Sequence, residues 1–227
     1  MHNTALLLIV PMIGALLMAA LSSAAADTKV HYRCTFTRDG WNPADWQMVR
    51  RPDWDHYGKW KQGPDYLENV TPEGATPAEL EARTDTHTSM VYRTPLRGDF
   101  TAASTMAFQY HMAPLITIAP SLADSPRPTH QQYQESYEVV LWNEGINVWH
   151  QWLQEGKVQW ELIAYAKFPL QASMRYTLKV RKHGQTLEFT VGEHTFGVLL
   201  HKPWEQCYVG ITGCEGSNRF YDFSLQQ

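Results

Sequence analysis

Flat aromatic rings interleaved with polar side chains on short extended segments are the feature of this sequence that could do chemistry. In a strand, successive side chains point to opposite faces. Over residues 105–112, Met106, Phe108, Tyr110 and Met112 form one apolar face, and Gln109 and His111 fall on the other with Ala107. Over residues 158–167, Gln159, Glu161, Tyr165 and Lys167 share a face interrupted by Ile163. Trp160, Leu162, Ala164 and Ala166 make the opposite face, which is expected in the core. Glu138 and Trp142 go with Val140, and His150 and Trp152 with Val148. If the polar faces coincide in one sheet, Gln109, His111, Glu138, Trp142, His150, Trp152, Glu161, Tyr165 and Lys167 line one concave surface. Rings beside hydrogen-bonding groups suit a sugar, which has C–H faces and hydroxyl edges. Each residue also has a plainer reading as sheet packing or a solvated face. His111 stands out because the other face of its strand is strongly apolar.

The elements that would position these residues are strands. Residues 137–143, 147–153, 158–166, 174–182, 186–191, 194–196, 208–212 and 219–225 are short β-branched or aromatic runs. Turn signals such as Glu144-Gly145, Glu155-Gly156 and His183-Gly184 separate them. That pattern predicts an all-β sandwich or barrel. Earlier in the chain, residues 30–36, 89–92 and 99–112 read as strands, and 77–83 as a short helix. Residues 39–64 read as a long loop carrying Trp41, Trp46, Trp54 and Trp60, and residues 119–132 as a Pro- and Ser-rich loop. Loops of this length in a compact domain are usually functional or disordered.

The apolar, uncharged run 5–21 ends in small residues with Ala24 and Ala26 at A-x-A spacing. This predicts a signal peptide over 1–26, an exported mature chain, periplasmic or extracellular, and one domain over 27–227. No membrane span is expected in the mature chain. All 9 Trp and 11 Tyr lie after residue 26. With 19 Lys+Arg against 23 Asp+Glu, the net charge of -4 argues against a general nucleic-acid binder. The three cysteines permit at most one internal bridge. Cys207 and Cys214 flank a strand and are too far apart to pair with each other. Cys34 with either of them, or three free thiols, remain open.

The segments "YTLKVRKHGQTLEFTVGEHTFG" and "YVGITGCEGSNRFYDFSL" resemble the closing hairpins of the concanavalin A-like lectin/glucanase superfamily. More narrowly, the chain is similar to the YesU-like proteins found among polysaccharide-utilisation genes. The resemblance covers residues 137–225 well and is general before that. It implies a two-sheet antiparallel β-jelly-roll that binds an oligo- or polysaccharide on its concave face and acts in polysaccharide breakdown. An alternative is an enzyme in the same groove, a polysaccharide lyase or a glycoside hydrolase. A ligand-free structural or interaction domain is a third. Retaining glucanases of this fold carry E-x-D-x-x-E on one strand face. Here Glu135 and Glu138 are three apart, which sends them to opposite faces, and the middle Asp is missing. Gln109-Tyr110-His111 and Tyr165-Ala166-Lys167 look like the Q-x-H and Y-x-K segments of jelly-roll alginate lyases. By that likeness Gln109 and Lys167 would neutralise a uronate, with His111 as base and Tyr165 as acid or shared base. The lyases' R-x-E-L strand is not evident. No cofactor is expected. The superfamily allows a structural calcium, but no D-x-D-x-D-G run names ligands for it.

Overall fold

The structure, a computed structural model, describes residues 29–81, 83, 85–125 and 131–227. The expected signal peptide lies outside the described residues. Among these, the strands in chain order are β1 (His31–Thr35), β2 (Trp46–Arg50), β3 (Trp60–Gln62), β4 (Leu67–Asn69), β5 (Thr88–Tyr92), β6 (Leu96–Arg97), β7 (Phe100–Phe108), β8 (Met112–Asp124), β9 (Gln131–Trp142), β10 (Gly145–Gln154), β11 (Lys157–Lys167), β12 (Tyr176–His183), β13 (Thr186–Val191), β14 (His194–Leu199), β15 (Gln206–Gly213), β16 (Asn218–Phe220) and β17 (Asp222–Gln226). One short helix, α1 (Pro77–Glu81), precedes β5. No helix among the described residues is long and apolar enough to cross a membrane.

The strands form a two-sheet antiparallel β-sandwich of the jelly-roll type. One sheet runs β14-β13-β12-β7-β16-β4-β3, with β17 also on β7 and β1 on β17. The other contains β11, β10, β9, β8, β15, β5, β2 and β6. Period-two alternation sets the faces. On β12, Leu178, Val180 and Lys182 are buried while Thr177, Lys179 and Arg181 are exposed. The main core lies between the sheets, with Phe108, Val180, Phe189 and Phe223 meeting Ile118, Val139, Leu141 and Val148. Each fully buried side chain of this size contributes about 1.5–3 kcal/mol.

Within the second sheet the pairings close on themselves. β9 pairs β8, β8 pairs β15, β15 pairs β5, β5 pairs β2, and β2 returns to β9 in parallel. This ring encloses its own small core of Val49, Val91, Ala119 and Tyr133. Buried hydroxyls bond inside it: Tyr133 Oη to Ser89 Oγ at 2.6 Å, Ser89 Oγ to Thr212 Oγ1 at 2.5 Å, and Thr117 Oγ1 to Thr212 Oγ1 at 2.8 Å. Tyr133→Phe removes one member while Ser89 keeps Thr212. We expect a loss of about 1 kcal/mol, read as a lower urea midpoint at unchanged slope.

Several elements depart from the sequence expectation. Residues 99–112 are not one strand: β7 stops at Phe108, and Gln109, Tyr110 and His111 form the bend into β8. There is no alternation at these three residues, and the Tyr110 and His111 rings stack at 3.8 Å. In the Pro- and Ser-rich region 119–132, residues 119–124 and 131–132 are strand, because β8 continues to Asp124 and β9 starts at Gln131. Pro114 and Pro120 sit inside the register shifts between Met112/Leu115 and Ile118/Ser121, where an N–H is not needed for the ladder. The Trp-rich loop contains β2 and β3, and Trp46 and Trp54 are buried. Residues 219–225 are two strands, β16 and β17, separated by Tyr221. Cys34, Cys207 and Cys214 are free thiols.

Candidate functional site

Two bulges decide which side chains share the outer face of the second sheet. In β9, Ser121 faces Glu135 while Leu122 faces Tyr133, so Gln134 is an extra residue. Alternation therefore resets, and Ser136, Glu138 and Val140 follow Tyr133 on the outer face. In β11, Val148 faces Ala164 while Trp149 faces Leu162, so Ile163 is extra. Trp160 and Leu162 thus share the outer face with Tyr165, although their numbers differ in parity. Directly opposed residues complete the face: Trp149 opposite Glu138, Asn147 opposite Val140 and Tyr165, Gln151 opposite Trp160.

This face carries a cavity of about 240 Å³ beside the mouth of the closed ring. Its floor is apolar, formed by Ala113, Leu115 and Val140. Its strand walls are Glu138, Asn147, Trp149, Gln151, Trp160 and Thr212. Loops add Arg51, Trp54, His87, Cys214 and Glu215. Trp149 and Trp160 lie 5.1 Å apart between ring centroids at 34°, and Trp160 is 63% exposed. Glu215 holds a left-handed backbone at φ 51°, unusual for a residue with a side chain.

Charges in the cavity are held in fixed arrangements. Glu138 is 7% exposed, and one of its oxygens accepts a hydrogen bond from Gln151 Nε2 at 2.7 Å. Burial pushes its carboxyl above the ordinary range, Asp53 and Glu215 push the same way, and Arg51 opposes them. Arg51 is engaged bidentately by Asp53, at 2.9 and 2.7 Å, and lies 5.4 Å over the Trp54 ring. Burial also holds the Cys214 thiol well above its usual range, with Glu215 and Glu138 adding to it, so it stays protonated. Asn69 ties the loops together: Nδ2 donates to Thr86 O at 3.2 Å and Gly216 O at 2.8 Å, and Oδ1 accepts from Asn218 N at 2.9 Å.

His87 is 6% exposed, meets the Trp54 ring edge-on at 5.1 Å, and neither ring nitrogen has a partner among the described residues. Burial first, then Arg51 and His56, brings its pKa from 6.5 to about 4. Between those values the unfolded chain takes up a proton that the folded site refuses. The stability tied to His87 is therefore full above pH 6.5 and drains as pH falls toward 4. His87→Phe keeps the edge contact with Trp54 and removes the titration. Urea midpoints of the wild type should fall relative to this variant across that window, and a parallel pH dependence would contradict the assignment.

The nine residues expected on one surface separate into three places. Glu138, Trp142, Tyr165 and Lys167 are on the outer face, and of these Glu138 lines the cavity. Lys167 pairs loosely with Glu144 at 3.9 Å. His150 and Trp152 are on the opposite face, because β10 alternates regularly against β9 and puts them with Val148, and Glu161 of β11 shares that face opposite His150. There His150 stacks between Tyr137 at 4.4 Å and Trp152 at 4.9 Å, with Glu135 at 3.0 Å and Glu161 at 3.3 Å on its two nitrogens. Gln109 and His111 are in the β7–β8 bend. Trp160, expected in the core, is on the outer face and exposed. Glu135 and Glu138 do lie on opposite faces, as their spacing implies. No group of three or more His, Cys, Asp or Glu able to hold a metal comes together among the described residues.

The fold is a jelly-roll β-sandwich, an architecture shared with solved carbohydrate-binding modules and glycoside hydrolases. Three solved structures illustrate it. The carbohydrate-binding module CBM66 from Bacillus subtilis superposes with a TM-score of 0.57 at 12% identity, covering 81% of this chain and 96% of that one. An endo-β-galactosidase from Clostridium perfringens that releases GlcNAcα1-4Gal gives 0.56 at 10% identity, over 89% and 63%. A LamA variant from Z. galactanivorans, in complex with laminaritriose and laminaritetraose, gives 0.54 at 11% identity, over 88% and 99%. At these identities the likeness shows the fold alone. No family model and no curated protein sequence matches the chain.

Proposed function

We propose that this is an exported, YesU-like carbohydrate-binding jelly roll acting in polysaccharide breakdown, with the sugar held in the outer-face cavity of the second sheet. The observation that carries this reading is the Trp149–Trp160 ring pair over a cavity walled by buried Glu138 and Gln151. Rings supply a platform for sugar C–H faces, and the polar side chains beneath fix hydroxyls. The solved neighbours that bind or cleave glycans agree with it. A hydrolase in the same groove is favoured by one feature, the buried Glu138 carboxyl, whose raised pKa suits a general acid.

The test is native electrophoresis of the full chain through gels containing single neutral or acidic polysaccharides, with parallel assays of reducing and unsaturated ends. Retardation by at least one glycan is expected. Retardation without new ends supports binding, new reducing ends without unsaturated ends support the hydrolase, and unsaturated ends would mark a lyase instead. Migration unchanged by every glycan, with no new ends, would overturn both.

A further inference from the structure

A second hollow adjoins the cavity. It measures about 340 Å³, is lined by Arg51, Pro52, Asp53, Lys157, Val158 and Trp160, and shares Arg51 and Trp160 with the first. The two compartments therefore form one groove divided by the Trp160 ring. The first, at about 240 Å³, lies below the range of roughly 300–1,000 Å³ usual for drug-sized ligands, which matches a single sugar ring rather than a stretch of chain.

The first compartment also has a chemical signature. Trp54 Nε1, Gln151 Oε1 and both His87 nitrogens are buried without partners among the described residues, and all three side chains line it. Trp54 and Gln151 are each 3% exposed. The set mixes a donor, an acceptor and an imidazole that supplies one of each when neutral. A hydroxyl satisfies either kind, while a carboxylate only accepts. Leaving such groups unmet costs about 1–3 kcal/mol each, so a partner carrying hydroxyls gains from meeting them. The charge balance points the same way: Glu138, Asp53 and Glu215 stand against Arg51, whose Nε and one Nη2 donor are already taken by Asp53.

Resting on the carbohydrate reading, we infer that the groove recognises the end of a glycan chain, with an uncharged terminal sugar ring in the first compartment and the adjoining unit beyond Trp160 in the second. The ring enters between the apolar floor and the Trp149–Trp160 pair. Its hydroxyls meet Gln151, His87 and Trp54, and the chain leaves past the β10–β11 turn.

Calorimetric and saturation-transfer NMR titrations of the full chain test this with methyl glucoside, methyl galactoside and methyl mannoside, the methyl uronides of glucose and galactose, neutral disaccharides, and cyclic glucans that have no chain end. At least one neutral methyl glycoside should bind, its uronide about tenfold or more weakly, and a disaccharide ending in the same ring about fivefold or more tightly. A uronide that binds as well as its neutral counterpart overturns the inference and leaves sugar binding standing. So does binding confined to long or cyclic glycans, or a disaccharide no tighter than the single ring. Absence of binding to every glycan overturns the inference together with the reading on which it rests.

Discussion

Trp160→Ala should weaken glycan binding by about 30-fold or more, the effect of losing an aromatic anchor worth about 2 kcal/mol, while thermal stability stays within about 0.5 kcal/mol of wild type. The two halves of this result come from one fact: Trp160 is 63% exposed and packs on Trp149 rather than in the main core. Its removal opens no internal cavity, so the fold loses little. It does remove the wall common to both compartments. Trp152→Ala is the control, because Trp152 lies on the opposite face against His150. That variant should bind glycans as the wild type does and lose stability instead. Gel retardation and calorimetry on the two variants, paired with unfolding curves, separate the faces. Equal loss of binding in both would place the sugar elsewhere.

The misassignment of Trp160 shows where sequence reasoning reaches its limit. The hairpins from β12 to β14 were legible because their alternation is unbroken and their turns carry Gly. Thr186–Val191 is one strand as expected, and β12 alternates cleanly along its whole length. In β11 the alternation was read straight through Ile163. A single bulged residue there inverts the sense of everything on one side of it, so Tyr165 and Trp160 meet on one face. The same happens at Gln134. Nothing local marks either position, since Ile163 and Gln134 are ordinary strand residues and the bulge is set by the partner strand. β8 was hidden for a different reason: Pro114 and Pro120 suggest loop, and only the register shows that they occupy irregularities. About a third of the cavity lining was out of reach altogether. Arg51, Trp54, His87, Cys214 and Glu215 come from loops far apart in the chain. Glu138, in contrast, was found, because its strand is regular from residue 135 onward.

Asn69→Ala should destabilise the protein by about 3–4 kcal/mol, a large effect for one polar side chain. Asn69 is 1% exposed and its amide answers three backbone groups, Thr86 O, Gly216 O and Asn218 N. Truncation leaves all three with less than their full bonding in a site closed to bulk water. For a domain of this size, each kcal/mol lowers Tm by about 2–4 °C, so a fall of roughly 6–16 °C is expected. The consequence extends to the groove. Thr86 directly precedes His87, and Gly216 directly follows Glu215, so one amide sets the positions of two loops that wall the cavity. Glycan affinity measured well below the lowered Tm should therefore fall as well. Asn69→Asp separates the two bonding roles: its carboxylate can accept from Asn218 N but cannot donate to the two carbonyls, and it sets a negative charge against them. It should be at least as damaging as Ala. A tolerated Asp would mean that the acceptor bond alone holds these loops, and that His87 is placed by its contact with Trp54 instead.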